Sequence, residues 1–280
     1  MLQAYYRKIW IFYEFKKYKE VTVPKISIIT VNYNDAIGLE KTIVSVLNQT
    51  YSDFEYIVID GNSTDGSKEV ILKYQDQLTY WVSEPDKGIY NAMNKGINSA
   101  IGDYLLFMNS GDVLVDDATI LKICSEKLKE DIVAFDCFLE KDNAITGRRT
   151  HIENPTLFYV YKKGFKHQST YIKRSLFQKV GLYNESYMIA GDHEFWIRSF
   201  LNSTTTSKSY TTPIAIFQLN GISQTSTWGQ EYQRIENELL PNLMTDFRLL
   251  EQLLPYQNSR ILTVIINLQK IFKSISRKFN

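Results

Sequence analysis

The sequence predicts an α/β fold with a mixed, mainly parallel central sheet that is flanked by helices and followed by C-terminal helices. Three apolar runs at 26–34, 57–66 and 105–112 support this prediction, because each ends abruptly in small, polar and acidic residues: ISIITVNYN, IVIDGNSTDG and LLFMNSGD. A strand buried on both faces of a parallel sheet has this unbroken apolar character. Helical patterns separate the runs, so the order is β-α-β-α-β.

The first half alternates strands and helices. Leu39, Ile43 and Val46 recur at helical spacing after the first strand, and Gly102 ends the last helix of this half. We expect strands at Ile26–Val31, Tyr56–Ile59, Tyr80–Val82 and Tyr104–Met108, and helices at 39–47, 67–76 and 90–99.

The second half continues with less regular elements. We expect helices at 117–129, 174–180, 192–201 and 231–254 (the last interrupted by Pro241), strands at 132–139, 165–173 and 214–219, and a polar loop or hairpin at 141–154. The predicted domain boundaries give an amphipathic segment at 1–22, a main domain at 23–230 with halves 23–115 and 116–230, and C-terminal helices at 231–280.

Composition and charge narrow the class of protein. The 280 residues carry a net charge of +1 and are 44% hydrophobic, which permits a sizeable core and argues against a nucleic-acid binder. The charge is uneven: residues 1–20 carry +3 and residues 258–280 carry +5, leaving −7 between them. Cys124 and Cys137 have no metal-site spacing, and no signal peptide or span of ~20 apolar residues is evident. We therefore expect reduced thiols in a cytoplasmic protein.

Polar residues at the strand ends predict a binding site. Parallel strands place their carboxyl ends at one edge of the sheet, where ligands of open α/β sheets bind. The residues expected at this edge are Asn32, Asn34, Asp60, Asn109 and Asp112. Carboxylates and amides together suit a nucleotide and a hard divalent cation.

These segments also resemble a known family. ITVNYN, VIDGNSTDGS, SEPDKGIYNAMNKGI and FMNSGD, in this order and spacing, are similar to the first half of a family-2 glycosyltransferase. The resemblance covers residues 24–115 and, more loosely, 165–200. It implies the GT-A fold and a nucleotide-diphosphate sugar donor, which we expect to be a UDP-sugar.

The resemblance also implies nucleotide-binding residues. They are Thr30, Asn32, Asn34, Asp60, Asp86, Lys87, Gly88, Asn94, Asn109, Ser110 and Gly111. Asp60, at a strand end, is expected to face a wet cleft and accept the imino N–H of uracil. The alternative is a turn former or helix cap among Gly61, Asn62 and Ser63. The loop at 83–88 is expected to approach the phosphates, with a charged surface loop as the alternative.

Asn109–Asp112 takes the place of the DxD-type element that holds a metal ion in the family. Gly111 replaces the first of two acids and Asp112 remains. Mg²⁺ needs only one or two protein carboxylates beside phosphates and water, so Asp112 suffices as the acidic ligand of Mg²⁺ or Mn²⁺. The alternative is a tight turn without a ligand.

Asp192 is the expected general base. An inverting transfer needs a group that takes the proton from the acceptor hydroxyl, and the family places a carboxylate at a helix start in a motif like Ala190–Phe195. The alternatives are a helix cap or an exchange of roles with Glu194. His167 and Gln168 are expected to line the acceptor or the diphosphate site, with a structural, hydrogen-bonded histidine as the alternative. His193 and Glu194 are assigned to the acceptor side or its surroundings.

The last signal lies near the C-terminus. Residues 258–279 place apolar side chains at helical spacing beside Arg260, Lys270, Lys273, Arg277 and Lys278. A basic amphipathic helix suits the anionic cytoplasmic face of a membrane, and internal packing or dimerisation is the alternative.

The resemblance thus implies an inverting, metal-assisted sugar transfer, which we expect to reach a lipid-linked or polysaccharide acceptor of the bacterial cell surface. We expect the enzyme to be peripheral to the membrane. A non-catalytic carbohydrate- or partner-binding module on the same fold is the main alternative. A sugar nucleotidyltransferase fits less well, because strand one ends in NYND without the Gly-rich basic loop of that class.

Overall fold

The computed structural model describes residues 25–126, 128–219 and 228–256. The chain divides into two compact units, Met1–Trp228 and Gly229–Asn280. The predicted segments at 1–22 and 258–279 lie outside the described residues. The predicted domain boundaries remain predictions.

The described strands of the first unit form one nine-stranded mixed sheet. They are β1 (Ile26–Asn32), β2 (Phe54–Asp60), β3 (Tyr80–Ser83), β4 (Tyr104–Phe107), β5 (Val113–Leu114), β6 (Ile132–Lys141), β7 (Ala144–Arg149), β8 (Thr170–Lys173) and β9 (Ser207–Gln218). The order is β3-β2-β1-β4-β8-β6-β9-β5, with β7 paired to β6. Strands β1 to β4 run parallel, as do β6 and β9, whereas β8 is antiparallel to its neighbours β4 and β6.

The helices of this unit connect the strands. They are α1 (Ala36–Leu47), α2 (Ser67–Tyr74), α3 (Ile89–Ser99), α4 (Thr119–Ser125), α5 (Leu157–Lys163), α6 (Arg174–Val180) and α7 (Gly191–Leu201). The second unit contains α8 (Trp228–Leu239), apart from its first residue, and α9 (Met244–Leu253), with the break near Pro241 that the sequence predicts. No helix among the described residues is long and apolar enough to cross a bilayer.

The core explains why β1 reads as an unbroken apolar run. Successive side chains of a strand point to opposite faces. Ile28 joins a buried cluster with Leu39 and Ile43 of α1, while Ile29 lies against Gly96 of α3, where a Cβ atom would come within 2.5 Å of its Cγ2. Helices therefore cover β1 on both faces, as the predicted fold class requires.

Two segments differ from the predicted elements, and the predicted loop or hairpin at 141–154 is a hairpin. The expected strand at 165–173 begins only at Thr170, because His167–Ser169 forms a 3-10 turn. Helix α5 lies within a stretch for which the sequence predicted no helix, and its first turn is capped by the Thr156 hydroxyl, which accepts a hydrogen bond from the Tyr159 N–H. The polar stretch after β6 is a hairpin whose turn residues Asp142 and Asn143 both have positive φ, as a type I′ turn requires.

Candidate functional site

The strand ends that the sequence singled out do meet at one edge of the sheet. Asn32 is the register partner of Asp60, and Asp60 is the partner of Ser83. On the other side of β1, the Ser110 N–H donates to the Val31 carbonyl. The strand order reverses between β2-β1 and β4, and the crevice beyond such a switch point is where α/β sheets bind ligands.

The environment of Asp60 differs from the one that the sequence predicted. Its side chain is 0% exposed, so it does not face a wet cleft. Its two oxygens accept four hydrogen bonds, from Asn32 Nδ2, the Ser63 N–H, and the Ser63 and Ser83 hydroxyls, at 2.6–3.0 Å. Burial opposes ionisation, but these donors outweigh it, and the pKa of Asp60 lies below its ordinary value. Asp60 therefore ties together the ends of β1, β2 and β3.

A shelf that the sequence did not predict lies beside this network. The carboxylate of Asp86 sits directly over Gly61, where a Cβ atom would come within 2.5 Å of Asp86 Oδ2 and 3.1 Å of Tyr33 Cδ2. Asp86 Oδ1 accepts the Gly88 N–H at 2.9 Å, and the Tyr33 side chain is 66% exposed. We call Tyr33, Gly61 and Asp86 the shelf. Lys87 and Gly88, just beyond it, are exposed.

The Asn109–Asp112 turn is held by helix α1. The Thr42 hydroxyl lies 2.8 Å from the Asp112 carbonyl and 3.2 Å from the Asn109 carbonyl, and it accepts the Gly111 N–H at 3.0 Å. Gly111 has φ of +94°, a conformation that side chains disfavour. The need for this left-handed residue explains why a glycine can occupy the position of an acid. Ser110 donates to Asn32 Oδ1 at 2.7 Å and so joins the turn to β1.

The carboxylate of Asp112 points into the protein. It is 3% exposed and accepts hydrogen bonds from Gln168 Nε2 and the Gln218 N–H, both at 3.3 Å. Burial raises the pKa of Asp112 to about 6, although His167 and these donors oppose the shift. Such a group gains from any cation that favours its ionised form.

The donor set fits a cation that is shared with a ligand. No three His, Cys, Asp or Glu side chains gather as metal ligands within the described residues. However, two buried amide oxygens, Asn109 Oδ1 and Gln168 Oε1, find no hydrogen-bond partner within the described part of the chain, and their amide groups flank Asp112 and His167. One carboxylate with amide oxygens suits Mg²⁺ or Mn²⁺ if a diphosphate completes the ligand set.

Asp192 opens helix α7 beside this turn. Its Oδ1 accepts a hydrogen bond from the His193 N–H at 2.7 Å and lies 3.4 Å from the Tyr90 hydroxyl. Its Oδ2 lies 3.5 Å from His167 Nδ1. His167 Nε2 in turn lies 3.0 Å from Asn109 Nδ2. Burial disfavours the ionised form of Asp192, but the His167 contact and the charge of Lys166 lower its pKa below the ordinary value. A carboxylate whose side chain is 22% exposed and that stays ionised can accept a proton.

Two residues expected to bind the nucleotide are used by the fold instead. Thr30 is buried, and its hydroxyl lies 3.1 Å from the Tyr56 hydroxyl. Asn94 is buried on α3, where its amide donates to the Tyr183 carbonyl and Glu185 Oε1 and accepts the Tyr183 N–H. Neither side chain reaches the cleft. Asn34 has φ of +51°, and its Oδ1 accepts the Thr64 N–H, so it shapes the turn.

Two residues assigned to the acceptor side also turn away. Both oxygens of Glu194 accept from the Arg198 guanidinium, at 2.8 and 2.9 Å, which excludes an exchange of roles with Asp192. His193 is buried against Gly164, just after α5, and burial lowers its pKa to about 4. Neighbours along a helix point about 100° apart, so only one of the three side chains can face the cleft. His167 and Gln168 remain in the site.

Tyr90 and Thr42 contact residues of the candidate site, which the sequence did not indicate. Tyr90 stands inside the GIYNAMNKG segment, but nothing in the sequence indicates that it contacts the site. Gly191 admits the Tyr90 ring, because a Cβ atom there would lie 2.7 Å from it. A pocket of about 40 Å³ lies elsewhere, between α4 and β9, and is lined in part by Asp116 and Pro213. Neither Tyr90 nor Thr42 lines it, so this pocket is separate from the candidate site.

Comparison with known proteins agrees with this geometry. The sequence profile of Glycosyl transferase family 2 matches residues 27–191. The chain is 28% identical over 212 residues to a PGL/p-HBAD biosynthesis glycosyltransferase of Mycobacterium bovis (strain BCG / Pasteur 1173P2), covering 73% of this chain and 81% of that protein. It is 33% identical over 184 residues to an uncharacterized glycosyltransferase of Mycobacterium tuberculosis (strain CDC 1551 / Oshkosh), covering 64% and 70%.

Solved structures share the fold at lower identity. S. aureus TarS 1–349 in complex with UDP-GlcNAc gives a TM-score of 0.63 at 16% identity, and the match covers 75% of this chain but only 64% of that one. The mannosyltransferase PcManGT from Pyrobaculum calidifontis, in complex with GDP-Man and Mn²⁺, gives 0.54 at 15% identity, covering 80% and 68%. These likenesses confirm the GT-A fold.

The family assignment decides between the functional classes left open by the sequence. The family profile spans more than half of the chain, and the relatives are glycosyltransferases. These findings exclude a non-catalytic module and a nucleotidyltransferase. The chain belongs to glycosyl transferase family 2 and is a glycosyltransferase.

Proposed function

We propose that this enzyme transfers a sugar from a UDP-sugar to a hydroxyl of a lipid-linked or polysaccharide acceptor of the bacterial cell surface, with inversion and with Asp192 as general base. One observation carries the proposal: His167 lies between the carboxylate of Asp192 and the Asn109–Asp112 turn, at 3.5 and 3.0 Å. A proton acceptor therefore stands next to the turn that is suited to a diphosphate.

The chemistry follows from that juxtaposition. Asp192 takes the proton of the acceptor hydroxyl while the acceptor oxygen forms a bond to the anomeric carbon. The bond from that carbon to the phosphate oxygen breaks, and its electron pair leaves with the nucleoside diphosphate. A single displacement of this kind inverts the anomeric configuration. A bound Mg²⁺ or Mn²⁺ would neutralise charge on the diphosphate, with Asp112, Asn109 and Gln168 as the protein groups that fit it.

The nucleoside fits the shelf of Tyr33, Gly61 and Asp86. An exposed aromatic ring offers a stacking surface for a base, and a carboxylate accepts from an imide N–H such as that of uracil. Asp60 can join only by exchanging a serine hydroxyl for the base, because four donors already occupy it. The UDP-GlcNAc complex of TarS supports a uridine donor, whereas the GDP-Man complex of PcManGT makes guanosine the comparison to exclude.

Titration calorimetry with UDP and GDP, each with and without Mn²⁺, tests the donor. UDP with Mn²⁺ should bind tightest, and Asp86→Asn should weaken it about tenfold or more, since a hydrogen bond to a charged group contributes roughly 1.5–3 kcal/mol. Asp112→Asn should remove the gain from Mn²⁺ and leave metal-free UDP binding unchanged. Tighter binding of GDP, or a full Mn²⁺ effect in Asp112→Asn, would contradict the assignment.

We also propose that the enzyme works at the cytoplasmic face of the membrane, where a lipid-linked acceptor is found. The support is the basic, apolar pattern of residues 258–279. Just before that segment, Leu249, Leu250, Leu253 and Leu254 of the second unit are each 43–55% exposed. Exposed leucines followed by cations favour an anionic lipid surface.

A further inference from the structure

We propose that Glu185 is a positioning residue that couples the donor loop (83–88) to the base segment (183–192), which ends in Asp192. The inference rests on the proposed function, which places the donor at that loop and the general base at Asp192. Helix α3 begins directly after the donor loop, and Glu185 binds two of its side chains. Asn91 Nδ2 donates to Glu185 Oε2 at 2.9 Å, and Asn94 Nδ2 donates to Oε1 at 2.8 Å.

Asn91 connects Glu185 to the backbone of the donor loop. Its Oδ1 accepts the Lys87 N–H at 3.2 Å, while its Nδ2 donates to Glu185. A backbone N–H can only donate and an ionised carboxylate can only accept, so these two partners fix the orientation of the Asn91 amide. The hydrogen bonds from Asn94 and Asn91 lower the pKa of Glu185, which favours its carboxylate form. One side chain therefore separates Glu185 from the donor loop.

The other end of the base segment is held on the same helix. The Tyr90 hydroxyl donates to the Ile189 carbonyl and lies 3.4 Å from Asp192 Oδ1. Tyr90 and Asn94 are four residues apart, so they lie on one face of α3. Asn94 also exchanges two hydrogen bonds with the backbone of Tyr183, at 2.9 and 3.1 Å. The base segment is therefore fastened to α3 near both of its ends, and a shift in the first turn of α3 is transmitted to the base.

Exposure separates the role of Glu185 from that of Asn94. Asn94 is buried, and its bonds to the backbone of Tyr183 hold the fold. Glu185 is exposed, and exposed polar pairs contribute little to folding stability. A donor phosphate at the donor loop would fix the Lys87 backbone and, through Asn91, favour the position in which Glu185 is bound. Since coupling between two sites is reciprocal, donor binding should order the base segment before the acceptor arrives.

Amide hydrogen exchange tests the coupling without sugar transfer. The probe is UDP with Mn²⁺, or GDP with Mn²⁺ if calorimetry shows that GDP binds tighter. Saturating nucleotide should slow exchange in the base segment about tenfold in the wild type and less than about twofold in Glu185→Gln. Glu69→Gln, on the exposed first turn of α2, is the matched control and should behave as wild type. Equal slowing in Glu185→Gln, or bound nucleotide without slowing in the wild type, would overturn the coupling.

Kinetics of a polarity reversal provide the second readout. Glu185→Gln turns an amide toward a donor, and Asn91→Asp brings a carboxylate against Glu185, so each should lower kcat about tenfold through misplacement of the base. In the double variant the new amide can donate to the new carboxylate and still accept from Asn94. Its kcat should return to within about threefold of the wild type.

The possible outcomes separate the two proposals. Wild-type kcat in Glu185→Gln, or no recovery in a folded double variant, would overturn the positioning role of Glu185. If the wild type binds nucleotide but transfers no sugar, the proposed function fails, and the exchange result still decides the coupling on its own. If neither nucleotide binds, the proposed function and this inference fail together.

Discussion

At the scale of single residues, three carboxylates with similar sequence contexts have different physical states. Asp60 is saturated with donors and its pKa is lowered. Asp112 is buried and its pKa is raised to about 6. Asp192 is partly exposed and its pKa is lowered. The sequence could indicate that acids stand at strand and helix ends, but their partners come from distant segments, so their states could not be predicted.

Asp60→Asn should destabilise the fold, not only the nucleotide complex. The amide would retain one acceptor oxygen where four donors now converge, and each buried donor left without a partner costs about 1–3 kcal/mol. We expect the free energy of unfolding in urea to fall by at least about 2 kcal/mol. Asp76→Asn, on the exposed 3-10 turn after α2, serves as the control. Unchanged stability would mean that the serine and asparagine donors find other acceptors.

Two buried histidines should make stability depend on pH. Burial lowers the pKa of His151 and of His193 to about 4, whereas an unfolded histidine titrates near 6.5. Below that value the unfolded state binds more protons, so stability is complete above about pH 6.5 and falls toward pH 4. The decrease is roughly 3 kcal/mol for each histidine.

Chemical denaturation at several pH values measures this slope. The raised pKa of Asp112 acts in the opposite sense between about pH 4 and 6, because its folded form binds the extra proton. Because His151→Gln removes one of the two histidines with a lowered pKa, it should flatten the pH dependence of the free energy of unfolding between pH 4 and 6.5. An identical slope in wild type and variant would contradict the lowered pKa of His151.

At the scale of elements, apolar periodicity predicted what the core dictates. Strand β1, helix α1 and helix α3 follow the pattern because each buries an apolar stripe. The prediction of a strand over all of 165–173 was wrong, because Gln168 and Ser169 are buried polar residues in a 3-10 turn beside the candidate site. A sequence pattern registers burial and polarity, but not the 3-10 geometry that turns His167 toward Asp192.

The turn after β2 provides the test at this scale. Gly61→Ala would bring a Cβ atom within 2.5 Å of Asp86 Oδ2, so Asp86 must move. We expect UDP affinity to fall about tenfold while the melting temperature changes little, because the displaced carboxylate can swing into solvent. Gly147→Ala, whose Cβ atom would make an ordinary 3.6 Å contact with Leu139 in the β6–β7 hairpin, is the matched control. Equal UDP affinity in both variants would exclude the shelf as the nucleoside site.

At the scale of the whole molecule, the distribution of charge leads to a membrane prediction. Five cations lie within residues 258–280 without an acid, and each contributes about 1 kcal/mol near an anionic leaflet at low salt. The full chain should co-sediment with anionic vesicles, and a variant with Lys270, Lys273 and Arg277 changed to Glu should bind far less. Binding of the variant equal to that of wild type would show that the cations do not face lipid.

The central claim is that Asp192 is the base of an inverting transfer, and one comparison tests it most directly. The rates at which wild type and Asp192→Asn release UDP from a UDP-sugar with acceptor present should differ by roughly 10²–10⁴-fold, with UDP affinity equal in the two proteins and an inverted anomeric centre in the wild-type product. Normal turnover in a folded Asp192→Asn protein, or a retained anomeric configuration, would contradict the account.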